Sequence, residues 1–108
     1  MYFYNMKDIP YKKKREGVYF KSITGEKSQL TIIKLDPGVT TSHSHINEQI
    51  GYILSGKVEL TINNEKRVLE KGYSYYIPSN AGHGFKVLEN KPLEYLEIFT
   101  PPKEENRA

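Results

Sequence analysis

The chain has 108 residues, a formal net charge of +3 and a hydrophobic fraction of 37%, which suits one domain with a single modest core and leaves no room for a second. It contains no cysteine, so a disulfide framework and a thiolate metal centre are both excluded, and any metal must take nitrogen and oxygen ligands. No run approaches the roughly 18 apolar residues of a membrane span and the N-terminus lacks the apolar stretch of a secretion signal, so the expectation is a soluble cytoplasmic protein with no membrane partner.

Residues 1–16 read as an N-terminal extension. It opens on Tyr2, Phe3 and Tyr4, too apolar for a free tail and expected to form a homodimer contact. Lys12, Lys13, Lys14 and Arg15 follow, and read as a solvated charged segment. Without a stacking-platform motif or a helix pattern beside them, they give no reason to expect nucleic acid.

From there the punctuation is that of short strands. Glycine, proline and asparagine recur at short intervals between β-branched and aromatic segments, and nine tyrosines with no tryptophan reinforce the lean toward sheet. Strands are expected at about 17–23, 28–36, 39–45, 48–54, 57–62, 65–70, 73–77, 84–89 and 93–99. Val58, Leu60 and Ile62 alternate with Lys57, Glu59 and Thr61, which gives one buried and one wet face. Asn63-Asn64 suits a two-residue hairpin, because asparagine tolerates left-handed backbone. No window holds a helical period free of Gly or Pro, so the fold class is all-β, a closed barrel or two-sheet sandwich that limits exposed edges.

All three histidines fall in two stretches of the chain, the expected strand 39–45 and the strand-and-turn stretch "GYSYYIPSNAGHGF". His43 and His45 lie two apart, and on a strand they face the same way. Gln49 shares their parity and carries an oxygen, whereas the neighbouring carboxylate Glu48 would point to the other face. Gly51 comes next on that face and leaves space. His83 follows a strand and a turn that a barrel could bring alongside. Three imidazoles and an oxygen ligand suit one divalent transition metal, such as Ni, Mn, Zn, Fe or Co, with positions left open for exchange. Tyr73, Tyr75 and Tyr76 suit core or interface better than a sugar pocket. On the last strand, Leu93, Tyr95, Glu97 and Phe99 share one face and Leu96 and Ile98 the other, and either could be the interior.

The two histidine segments resemble the two motifs of the cupin superfamily of small jelly-roll barrels. Motif 1 spans about 38–56: Gly38, His43, Ser44, His45, Gln49 and Gly56, with four residues rather than five between Gly38 and His43. Motif 2 spans about 72–87: Gly72, Pro78 and His83, with Asn80 for the middle glycine and Val87 for the final asparagine. The ending "YLEIFTPPKEE" resembles the aromatic-Pro-Pro ending of a group of small one-domain cupins, a group that includes one which ketonises 4,5-unsaturated monouronates. That resemblance implies a metal held by His43, His45, Gln49 and His83, with Glu97 as the catalytic acid/base and Phe99 and Lys103 binding an anionic sugar-acid substrate. It places Glu and Lys where the subgroup more often has Asp and Arg. The alternatives are a metal-binding module without turnover and a mononuclear iron dioxygenase.

Overall fold

The computed structural model describes residues 1–107. Two antiparallel sheets face each other. The larger has the order β1-β2-β3-β9-β4-β7 and the smaller β6-β5-β8. The strands are β1 (Lys12–Arg15), β2 (Val18–Thr24), β3 (Gln29–Leu35), β4 (Glu48–Ser55), β5 (Lys57–Ile62), β6 (Glu65–Glu70), β7 (Ser74–Ile77), β8 (His83–Val87) and β9 (Leu93–Thr100). The only helical pieces among the described residues are two short 3₁₀ turns, Met6–Asp8 and Glu104–Asn106.

Period-two alternation builds the barrel. Strand β9 alternates buried and half-buried residues along almost its whole length, and β4 alternates buried and exposed ones. Leu35, Ile53, Val58, Ile77 and Leu93 are wholly buried between the sheets, and Phe85 stacks on Tyr95 with centroids 4.6 Å apart. The β5–β6 hairpin closes at Asn63-Asn64 with Asn63 at φ 53°, and Asn80 adopts φ 67° where the cupin motif usually has glycine.

Two expectations need correction. The segment 39–45 is not a strand. It runs along the free edge of β8 and is joined to it by isolated bridges, Thr40 with Lys86 and His43 with His83, and by hydrogen bonds such as Thr41 N to Phe85 O at 2.9 Å, rather than by a continuous ladder. Within it His43 N donates to His83 O and His83 N to His43 O, both at 2.9 Å. The basic run is not a free segment either. Lys12–Arg15 pairs with β2 as the edge strand β1, where an exposed row of Lys and Arg discourages further pairing.

Register then fixes the site. Across the large sheet Thr31, Glu97, Gly51 and Tyr75 stand opposite one another in one row, and Gln29, Phe99, Gln49 and Ile77 in the next. Both rows face the interior. On the facing sheet, Gly84 lets the 39–45 segment approach, since a Cβ there would meet Thr41 O at 2.5 Å. Gly84→Ala should therefore lower stability by about 1–3 kcal/mol, read as a lower denaturant midpoint, and speed amide exchange at His43 and His83. A midpoint and exchange rates equal to wild type would mean the segment tolerates displacement.

Candidate functional site

A cavity opens between the sheets. His43, His45, Gln49, His83, Glu97 and Phe99 all line it, as does Lys103 from the C-terminal tail. The tail is tied down by two side-chain amides. Gln29 Nε2 donates to Lys103 O at 3.0 Å while Lys103 N donates to Gln29 Oε1 at 3.3 Å, and Asn47 Nδ2 donates to Pro101 O at 2.6 Å.

Glu97 is 2% exposed. Of the two faces open to β9, the one carrying Glu97 is interior, and Leu96 and Ile98 are only half-buried. Its Oε2 accepts from Tyr75 Oη at 2.6 Å and from Gln49 Nε2. Gly51 makes this possible, because any Cβ there would collide with the Tyr75 ring and hydroxyl. Burial pushes the Glu97 carboxyl up to about 7, against the opposing pull of the Tyr75 and Gln49 hydrogen bonds and the Lys103 charge.

Gln49 is 1% exposed, whereas Glu48 is at the surface, accepting from Tyr76 Oη at 2.9 Å. Because the Gln49 amide nitrogen faces the carboxylate, its Oε1 is left without a partner, the one such sealed side-chain atom among the described residues. Glu97 Oε1 has no hydrogen-bond partner either, yet it is not sealed, so it is open to the cavity.

The imidazoles are prepared as neutral donors. His45 Nδ1–H donates to Asn47 O and His83 Nδ1–H to Ala81 O, both at 2.9 Å, and a carbonyl can only accept, so each Nε2 keeps its lone pair. Burial holds all three histidines below their ordinary pKa, and the Lys103 charge adds to this. Ring centroids lie 4.9 Å (His45–His83), 5.2 Å (His43–His83) and 6.3 Å (His43–His45) apart. With metal–nitrogen bonds of about 2.1 Å, two rings on one ion can lie at most roughly 6.4 Å apart, so all three pairs fall inside that limit. His43 is the most exposed of the three, yet it lines the same cavity as His45 and His83. The orphaned Gln49 Oε1 and the free Nε2 atoms fit a divalent transition ion with nitrogen and oxygen ligands.

Residues 31–99 match the family described as Cupin domain. The chain is a cupin. It is 29% identical over 99 residues to the pectin degradation protein KdgF of Dickeya dadantii, covering 89% of each chain. The solved structure of KdgF from Halomonas sp. superposes with a TM-score of 0.88 at 25% identity, covering 95% of this cupin and 97% of that chain. An RmlC-like cupin from Shewanella frigidimarina superposes at 0.89 with 19% identity, covering 97% and 95%, a likeness of fold alone.

The sequence did not mark several residues that shape this cupin's cavity. Lys14 and Arg15 line it from β1, and Tyr75, one of three tyrosines read as core or interface, reaches Glu97 while Tyr73 and Tyr76 stay exposed. Gly51 was the available signal, an empty interior position beside a buried acid.

The raised Glu97 pKa has a signed consequence. Between the ordinary 4.5 and about 7 the folded protein binds a proton that the unfolded chain releases, so this group's contribution to stability falls as pH rises through that window. With a chelator present, the melting temperature of wild type relative to Glu97→Gln should fall as pH is raised from about 5 to about 8. A pH-independent difference would mean that Glu97 titrates normally.

Proposed function

We propose that this cupin is a metal-dependent enzyme acting on a small sugar acid, and that its reaction is the ketonisation of 4,5-unsaturated monouronates. The observation that carries the proposal is Glu97, a buried carboxylate with one oxygen anchored by Tyr75 and Gln49 and the other open to a cavity shared with three neutral imidazoles. Likeness to the KdgF proteins along nearly the whole chain supports a pectin-derived uronate as the substrate class.

His43, His45, Gln49 and His83 are the residues that would hold one divalent transition ion. When bound, the ion supplies Lewis-acid stabilisation of negative charge developing on a substrate oxygen. Lys103 pairs with the substrate carboxylate, and Phe99, whose ring lies under the Lys103 ammonium at 5.3 Å, walls the sugar's apolar face.

Glu97 moves the proton. As the carboxylate it accepts the proton of the anomeric hydroxyl, the C1=O bond forms, and the bond from C1 to the ring oxygen breaks, leaving the enolate at C5. As the carboxylic acid it returns a proton to C4, which becomes CH₂ as the C5 ketone forms. The product is an isomer, so no oxidant enters and dioxygen is not needed. A pKa near neutrality suits a group that must both take and give the proton. The proposal further takes the protein to be a cytoplasmic homodimer, with the exposed Tyr2, Phe3 and Tyr4 as the contact.

Under anaerobic conditions the protein should accelerate loss of the conjugated absorbance of a 4,5-unsaturated monouronate, and Glu97→Gln should slow it by roughly 10²-fold or more. Binding of the compound without turnover would make this a binding module, and turnover only with dioxygen consumed would make it a dioxygenase. His83→Ala should lower the metal content of untagged protein, measured by elemental analysis, while leaving the strand signal in circular dichroism intact. Unchanged metal content would remove His83 from the ligand set.

A further inference from the structure

Lys14 comes from the basic run at the N-terminus, and its surroundings are built rather than incidental. Its Nζ donates to Oδ1 of Asn106 at 3.0 Å, and Asn106 is 2% exposed. The same Nζ lies 3.0 Å from Glu105 Oε2, while Lys103 Nζ lies 3.2 Å from Glu105 Oε1. One carboxylate therefore spans two ammonium groups contributed from opposite ends of the chain, one oxygen to each. The lysine side chains are 26% and 10% exposed and that of Glu105 is 55% exposed, so the cations belong to the cavity wall and the anion comes from the solvent side.

We infer that Lys14 and Lys103 form a two-cation carboxylate subsite at the cavity rim, occupied here by Glu105, and that a sugar acid binds by replacing the Glu105 carboxylate with its own. The inference rests on the cavity being a sugar-acid site and adds to it a second cation and an internal competitor. An ion pair with a solvent-exposed partner contributes little, so releasing Glu105 costs little. Two ammonium groups side by side favour an anion between them, and Lys14 is already held below its ordinary pKa by burial and then by Lys103.

The supports stay in place when Glu105 leaves. Asn106 still holds Lys14, and the Gln29 amide still clamps the backbone of Lys103 from both sides. Glu105 itself sits in a single 3₁₀ turn whose N-cap residue makes no side-chain cap bond. Arg15 lines the same cavity and adds positive charge. The acid in its lining, Glu97, is committed to Tyr75 and Gln49. A carboxylate at the lysine end leaves the ligand's hydroxyls to reach toward the imidazoles, past the Phe99 ring, whose centroid is 5.9 Å from that of His45.

Calorimetric titration with D-galacturonate, a saturated uronate that cannot ketonise, tests this without reference to turnover. Wild type, Lys14→Met, Glu105→Gln and Lys103→Met are compared at one ionic strength, with neutral D-galactose as the control. Lys14→Met should bind galacturonate about tenfold more weakly, the worth of one charge-assisted hydrogen bond, and galactose no differently. Glu105→Gln should bind galacturonate roughly three- to tenfold more tightly, since the competing carboxylate is gone. If Lys14→Met stays within about twofold of wild type and Glu105→Gln gains nothing while Lys103→Met binds weakly, the two-cation subsite is wrong and the sugar-acid reading survives. If wild type and Glu105→Gln both fail to bind galacturonate, the sugar-acid reading fails and takes the subsite with it. Should Lys14→Met melt as an unfolded protein, Glu105→Gln decides alone, and no gain in affinity overturns the inference.

Discussion

The hydrogen bond from Gln49 Nε2 to Glu97 Oε2 is the contact on which the rest of the cavity depends. It turns the amide so that the carbonyl oxygen is left unpartnered, and it gives a buried carboxylate one of its two donors. Neither residue would be affordable alone, because an isolated buried carboxylate or amide costs several kcal/mol when unpaired. Their contact requires β4 and β9 to be neighbours in the sheet with Gly51 opposite Glu97, and it requires Tyr75 to reach over that glycine from β7. Three strands are thus committed to one carboxyl group.

The same pair sets the electrostatics. Three imidazoles held neutral and an amide bring no negative charge to the place a cation would occupy, so a bound ion would present its full charge to a substrate. Lys14, Arg15 and Lys103 add positive potential around the cavity, and burial raises the Glu97 carboxyl toward neutrality. A glutamate at position 49 would instead set two carboxylates against each other in a buried place, which explains why the strand offers Gln49 inward and Glu48 outward to Tyr76.

Parity was a good guide where the strand is regular. It separated Gln49 from Glu48 because β4 keeps its period of two from the first residue onward. It gave no decision on β9, where Tyr95, Glu97 and Phe99 alternate with Leu96 and Ile98 and both faces are apolar enough to be buried. The resemblance at the tail was needed to choose between them. For His43 and His45 a regular strand was the wrong premise, since 39–45 forms no continuous ladder with β8, and the rings owe their convergence to that edge contact and to the Nδ1 bonds of His45 and His83. The basic run shows the limit of local reading, because Lys14 acquires its partners from residues more than ninety positions away.

Local chemistry in the chain was therefore enough to specify an all-β barrel, the places of its turns, and a set of three imidazoles and a glutamine confined to two segments. These follow from side-chain period, from backbone conformations that glycine and asparagine tolerate, and from the absence of cysteine. Tertiary structure alone decided which residues Glu97 meets once it faces inward, that Tyr75 rather than its neighbours reaches it, and that Lys14 meets Lys103 across Glu105. Each of those depends on which strands become neighbours and in what register, and register is set by burying the whole sheet at once, a global balance that no single stretch of sequence carries.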